Sequence, residues 1–318
     1  MSVDCMSNQK IIVITGPTAT GKTALAAALA KKLGGEVVSA DSMQVYKHMD
    51  IGTAKPAESE KMGVPHHMLD IVSPLEDYSA SRYVVDATMC IDDILARGKP
   101  PIIAGGTGLY IDSLISGIEF SARGDDALRK ELEEEYDWRG GMAMLWALYE
   151  IDPESAERLH AHDKKRIVRA LEVYRATGKT ISEHDRETKA LPPRYDAVKF
   201  ALTFSDRDVL YARIETRVDA MIEKGLEREF RRLLEIGVSP KSTAMQAIGY
   251  KEMLGVIRGA YSLDAAVEKI KQESRRYAKR QLTWLRRDKG ANWITWESEP
   301  DIETGVGEII KTGNGTAL

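Results

Sequence analysis

The sequence predicts an α/β fold: a parallel sheet flanked by helices, with an all-helical insertion domain. Three observations carry this. Residues 10–15 form a short β-branched apolar run, followed by a glycine-rich loop and an Ala/Leu/Lys helical run over 24–33 that stops at Gly34-Gly35. Strand and helix signals then alternate through the first third of the chain, the pattern of parallel strands joined by crossover helices. From about Asp125 to Glu187 the strand signal vanishes and charged helical segments replace it.

The loop is Gly16-Pro17-Thr18-Ala19-Thr20-Gly21-Lys22-Thr23, which satisfies G-x-x-x-x-G-K-[ST] in its strand–loop–helix setting and makes the fold P-loop NTPase-like. Backbone amides and a positive helix end meet there, which suits the phosphates of a diphosphate or of a nucleotide such as ATP. Lys22 is placed to reach the terminal phosphates, and the Thr23 hydroxyl to help hold Mg²⁺. Residues 36–41 give a second strand ending in Asp41, 79–97 a helix stopped by Gly98, and 100–106 a third strand running into glycines. Ligands of such sheets sit at the carboxyl ends of the strands, so Thr15, Asp41 and Thr107 should converge on one crevice. The insertion spans roughly 119–197, with helices over 125–136, 153–160 and 164–177 and a linker at Leu191-Pro192-Pro193. The catalytic core is then discontinuous, 1–118 and 198–318. It resumes with a strand over 199–204, a helix capped by Asp206, and a late strand whose Trp293 and Trp296 read as core.

Composition narrows the class. The chain has 318 residues, 43% hydrophobic and with net charge −4, enough to bury a full core and neutral on the question of nucleic acid, where local patches decide. Its two cysteines, Cys5 and Cys90, lack metal-like spacing, which disfavours a disulfide framework or a zinc module and favours a reducing, cytoplasmic setting. No apolar run approaches the ~20 residues of a membrane span. Residues 1–10 lack the apolar stretch of a signal peptide. A monomer is expected.

Four groups of residues carry chemistry. Asp41, at a strand end facing the loop, suits a general base or a Mg²⁺ ligand, and equally a turn or cap. Gly105-Gly106-Thr107-Gly108 offers close backbone approach and a hydroxyl, or simply a tight turn. That strand ends without the acid with which ATPases hold Mg²⁺, which weakens an ATP-hydrolysing reading. Arg213 and Arg217, four apart on a helix that also carries Arg207, could form a fork on a leaving diphosphate or a solvated face paired with Glu215 or Asp219. Two basic stretches suit a nucleic-acid backbone. One is Lys164-Lys165-Arg166 with Arg169. The other is 269–289, where Ile270, Tyr277 and Trp284 make an apolar seam and Arg276, Arg280 and Arg287 a second stripe. His66 and His67 would point apart on a strand, so they cannot share a metal; they read as polar turn residues or substrate-side hydrogen-bonders.

Several segments together resemble the tRNA dimethylallyltransferase (tRNA isopentenyltransferase) family, bacterial type. They are the loop 16–23, Ser39-Ala40-Asp41-Ser42-Met43-Gln44-Val45-Tyr46, Asp50-Ile51-Gly52-Thr53-Ala54-Lys55-Pro56, Val64-Pro65-His66-His67, Gly105-Gly106-Thr107-Gly108-Leu109-Tyr110, the run 166–173, Gln246-Ala247-Ile248-Gly249-Tyr250-Lys251-Glu252, and the run 277–284. In this order they form a specific set, whereas the loop alone is shared by many enzymes. The resemblance implies transfer of a dimethylallyl group from dimethylallyl diphosphate to N6 of the adenine immediately 3′ of the anticodon. It implies Asp41 as general base, Thr107 as a substrate-orienting residue, and Lys22, Thr23 and Arg217 on the diphosphate. It also implies contacts to the tRNA anticodon stem-loop from Asp41, Ser42, Met43, Gln44, Thr107, Arg129, Lys165, Arg166, Ile167, Val168, Arg169, Ala247, Ile248, Gly249, Tyr250, Lys251, Glu252, Arg276 and Arg280. One departure shows: the family often has His-Pro-Asn-Asp before the basic helix, and this chain has His160-Ala161-His162-Asp163. The competing readings are a small-molecule or nucleotide kinase using Asp41 on a hydroxyl, an isopentenyltransferase acting on free adenylate, and a non-catalytic RNA-binding protein with a relic loop.

Overall fold

The computed structural model describes residues 9–118 and 126–315. Cys5, the residues before Gln9 and the expected helix start at Asp125 lie outside the described residues. By its internal contacts the chain divides into two compact units, Met1–Ile115 with Arg194–Leu318, and Ser116–Pro193.

The first unit opens with β1 (Gln9–Thr15), α1 (Lys22–Leu33), β2 (Glu36–Ser39), β3 (His66–His67), α2 (Ala80–Ala96), β4 (Pro101–Gly105) and α3 (Gly108–Ser116). The second unit holds α4 (Asp126–Arg139), α5 (Gly141–Ile151), α6 (Pro153–Ala156), α7 (Lys164–Thr177) and α8 (Ile181–Ala190). The chain returns to the first unit with β5 (Tyr195–Phe204), α9 (Arg207–Glu223), α10 (Leu226–Glu235), α11 (Tyr250–Ile257), α12 (Leu263–Leu285), β6 (Asn292–Trp296) and α13 (Ile302–Gly315).

Six parallel strands lie in the order β3-β2-β4-β1-β5-β6. Successive strand side chains point to opposite faces, so a strand covered on both sides must be apolar throughout. In β1, Ile11 and Val13 join one core layer with Val38 and Ile103, while Ile12 and Ile14 join the other with Val37 and Ile102. The register aligns the strand ends: Thr15 pairs with Gly105 and Ala201, and Ser39 with Ala104. That alignment puts the glycine loop, Asp41 and Gly106 at one end of the sheet. The second unit has its own core of Leu132, Met144, Leu148, Ile167 and Leu171. No described helix is long and apolar enough to cross a membrane.

Several elements differ from the sequence reading for identifiable reasons. The second strand stops at Ser39, because the Asp41 carboxylate folds back to accept the Met43 and Gln44 amides. The helix expected over 153–160 is the single turn α6, its start fixed by Asp152 accepting the Ser155 amide. His66 and His67 form a short edge strand, not a turn; His67 bonds Glu36 at 2.8 Å and His66 the Val64 carbonyl at 2.9 Å. Strand alternation turns Ile294 and Trp296 inward and leaves Trp293 39% exposed, so Trp293 is not core.

Candidate active site

The glycine loop is built to bring backbone close to a ligand. A Cβ at Gly16 would lie 2.7 Å from the Leu202 carbonyl oxygen, so only glycine lets the loop leave β1 against β5. Ala19 takes a left-handed φ of 67°, and the loop around it is pinned from several sides. The Thr20 hydroxyl donates to the Pro17 carbonyl at 2.8 Å, Trp296 Nε1 to the Thr20 carbonyl at 3.1 Å, and Arg213 Nε to the Ala19 carbonyl at 3.2 Å. Lys22 Nζ turns back to the Pro17 carbonyl at 2.5 Å.

Asp41 and Thr107 meet across the ends of β2 and β4. The Thr107 amide donates to the Ala40 carbonyl at 3.1 Å, and its hydroxyl accepts the Ser42 amide at 3.0 Å. Gln44 donates through Nε2 to the Thr53 and Ala54 carbonyls at 3.2 and 3.3 Å, tying this turn to the 50–54 loop. From α12, the Tyr277 phenol lies beside Thr107 and is pushed up to about 12 by burial and by the Asp41 charge. One turn on, the nearly buried Gln281 accepts the Thr18 amide at 3.1 Å and donates to the Gly106 carbonyl at 2.9 Å. A Cβ at Gly106 would collide with that same amide nitrogen.

These elements enclose a cavity of about 370 Å³, within the range of small-ligand sites. Its polar end is lined by Thr18, Lys22, Thr23, Asp41 and Arg217. Burial lowers the Lys22 ammonium to about 7, with the Arg217 charge adding to the effect and Asp41 opposing it. Arg217 is likewise lowered by burial and held up by Asp41, and its Nη2 reaches the Thr53 carbonyl at 3.4 Å. Two cations facing one carboxylate leave an excess positive charge with little water around it, a setting suited to a polyphosphate. The lining also carries the apolar side chains of Ile214, Val218, Met221, Ile248 and Ile270. Among the described residues no group of three or more His, Cys, Asp or Glu could hold a metal ion. Thr23, which lines the cavity, offers one hydroxyl ligand to a divalent cation held mainly by substrate phosphate oxygens and water.

A family model described as IPP transferase matches residues 44–288, and one described as Isopentenyl transferase matches residues 9–76. The chain belongs to the IPP transferase family. The tRNA dimethylallyltransferase of Acetivibrio thermocellus is 51% identical over 285 residues, covering 89% of this chain and 91% of that protein. That of Pelotomaculum thermopropionicum is 46% identical over 308 residues, covering 96% and 97%. The crystal structure of the full-length tRNA isopentenylpyrophosphate transferase from Bacillus halodurans superposes with a TM-score of 0.72 at 41% identity, covering 96% of each chain. A eukaryotic dimethylallyltransferase captured in crystallographic snapshots acting on tRNA gives 0.82 at 32% identity, covering 97% of this chain and 80% of that one.

Within this IPP transferase the sequence-derived residues fall into distinct places. Of the loop, Thr18, Lys22 and Thr23 line the cavity, while Gly16, Pro17, Ala19, Thr20 and Gly21 shape it. The Arg213–Arg217 fork does not form: Arg213 is absent from the lining and pairs with Glu299, bracing the loop from behind. Ser42, Met43, Gln44, Ala247, Ile248, Lys251 and Arg280 line the cavity. Tyr250 and Glu252 are buried: the Tyr250 hydroxyl donates to Glu229 at 2.6 Å, and Glu252 accepts the Gly249 amide at 2.7 Å to start α11. Ile167 and Val168 are also buried, in the helical unit's own core, while Lys165 and Arg166 are exposed on that helix and Arg169 is part-exposed. Arg276, Lys279, Arg280 and Arg287 line a shallow basic groove on the exposed side of α12.

Three residues carry roles that the sequence alone does not assign. Gln281 and Tyr277 sit in a stretch legible only as an amphipathic basic helix. Glu229 accepts the Asp50, Ile51 and Gly52 amides at 2.9, 2.9 and 3.1 Å and so fixes the loop that forms one cavity wall. A lone glutamate in a charged helix gives no sequence signal for this.

Proposed function

We propose that this protein transfers the dimethylallyl group from dimethylallyl diphosphate to N6 of the adenine immediately 3′ of the anticodon in tRNA, releasing diphosphate. The observation that carries this is one cavity lined by the basic side chains of Lys22 and Arg217, the carboxylate of Asp41, and the apolar side chains of Ile214, Val218, Met221, Ile248 and Ile270. The donor's diphosphate lies on the loop amides, Lys22 and Arg217, with its five-carbon group against Ile214, Val218, Met221 and Ile270. N6 attacks C1 of the dimethylallyl group, the C1–O bond breaks, and its electron pair leaves on the diphosphate. Asp41 takes the proton that N6 must lose. The oxygen that gains charge is met by fixed donors and cations, which lowers the barrier. Thr23 would hold a bound Mg²⁺ together with the phosphates, and the ion would add to the neutralisation of the leaving group. Thr107 acts from behind, its hydroxyl holding Ser42 at the cavity edge. The adenine must leave the loop stack to enter; the basic groove of α12 and, in the helical unit, the Lys165–Arg169 face each suit tRNA phosphates.

The direct test supplies radiolabelled dimethylallyl diphosphate with tRNA or AMP, and labelled ATP with the same acceptors. Label transfer from the prenyl donor to tRNA is the expected result. Transfer to AMP alone identifies an adenylate isopentenyltransferase, phosphoryl transfer a kinase, and tRNA binding without transfer a relic loop.

A second prediction concerns the helical unit. Replacing Lys165, Arg166 and Arg169 together with Ala should weaken tRNA binding and lower the slope of log K against log salt by about 0.7–0.9 for each phosphate that is no longer neutralised. The KM for dimethylallyl diphosphate should hold. A salt titration showing the wild-type slope would remove this face from the RNA site and leave the α12 groove as the remaining candidate.

A further inference from the structure

The helical unit contains a carboxylate that prenyl transfer does not use. Glu172 on α7 is 1% exposed, yet it pairs with two arginines whose side chains reach the surface. Arg129 on α4 sets its guanidinium along the carboxylate, Nη2 lying 3.0 Å from Oε1 and 3.2 Å from Oε2, with Nε 3.3 Å from Oε2. Arg169, one turn before Glu172, donates from Nη1 to Oε2 at 3.0 Å. The arginine side chains remain 42% and 35% exposed, so a second anion can reach both. Exposed Lys165 and Arg166 stand on the same helix.

A single buried carboxylate would be neutralised by one cation. Here the carboxylate draws two guanidinium ions, which otherwise repel, to a common point. An arginine in solution carries much rotamer freedom, and a bidentate carboxylate contact removes it before any RNA arrives. We propose that Glu172 is a positioning residue that holds Arg129 and Arg169 as a preformed clamp for the tRNA phosphate backbone. The proposal rests on reading the helical unit as RNA-binding, and it adds the device by which two of its arginines are aimed.

The sign of the effect separates this from simple electrostatics. Glu172→Gln deletes a buried negative charge from beneath the two arginines, so charge alone predicts tighter tRNA binding. The clamp predicts weaker binding, by about three- to tenfold, the scale of one weakened phosphate interaction. Glu172→Asp keeps the charge but draws it back by one methylene, and the same weakening is expected. On an Arg129→Ala/Arg169→Ala background, Glu172→Gln should weaken binding no further. Equilibrium tRNA binding of the full-length variants measures all of these, with thermal melting to report folding and the KM for dimethylallyl diphosphate as an internal control. Unchanged or tighter binding by Glu172→Gln, while the arginine variants bind weakly, overturns the clamp and leaves the RNA reading standing. So does further weakening on the double-arginine background, which marks a purely structural glutamate. Wild-type tRNA binding by the double-arginine variant removes the clamp together with the RNA role of this face.

Discussion

Asp41→Ala is expected to bind tRNA as the wild type does and to lose about 10²–10⁴-fold in single-turnover prenyl transfer, the usual contribution of a general base. The exocyclic amine of adenine is a weak nucleophile that becomes an unstable cation unless its proton leaves as the new bond forms. Among the described residues, Asp41 is the one carboxylate that lines the cavity. One of its oxygens is held by the Met43 and Gln44 amides at 2.8 and 3.2 Å, which fixes the direction of the group. Asp41→Asn retains the shape and an acceptor for those amides but cannot take the proton, so it should lose rate to a similar degree with intact tRNA affinity. The two variants together separate proton transfer from collapse of the 41–44 turn. Transfer by Asp41→Asn within a few-fold of wild type would reassign the proton to another acceptor.

What the sequence makes legible follows from how local each signal is. The loop 16–23 and the apolar strand before it are contiguous, and their conformation depends on glycines and β-branching that neighbouring residues cannot override. Asp41 and Thr107 fall together because strand ends in a parallel sheet converge, a topological rule that needs only the strands. The insertion is legible as a change of periodicity. The losses are of another kind. Arg213 and Arg217 share a helical repeat, and nothing in the spacing says that Glu299, far along the chain, captures the first. Tyr277 and Gln281 look like seam and filler residues in the sequence because their partners, Thr107, Thr18 and Gly106, lie in distant segments. Tyr250, Glu252, Ile167 and Val168 belong to motifs that the family resemblance ties to tRNA. A motif marks a segment, and burial then sorts its residues into those that can touch RNA and those that hold the segment in place.

Lys22→Ala should lower kcat/KM for dimethylallyl diphosphate by about 10²–10³-fold, the range found on deleting one preorganised donor from a developing oxyanion, with tRNA affinity preserved. Arg217→Gln should act in the same direction, since both cations line the phosphate end of the cavity. A signature belonging to Lys22 alone lies in its proton. In the free protein, burial and the Arg217 charge lower its ammonium to about 7, so above neutral pH it is increasingly uncharged. A bound diphosphate restores the charge by direct attraction, which raises the lysine's affinity for a proton in the complex. Donor binding above pH 7 therefore takes up a proton, and donor affinity falls as pH rises, by at most about tenfold per unit. Below pH 7 the lysine is already charged and contributes no pH dependence. Calorimetric titration at pH 8 in two buffers of different ionisation enthalpy measures the uptake. Ionisation of the donor's own phosphates contributes alike to wild type and Lys22→Ala, so the difference between them isolates the lysine. Equal proton uptake by the two proteins would show that Lys22 does not recharge against the diphosphate, and would leave Arg217 and the loop amides to hold it.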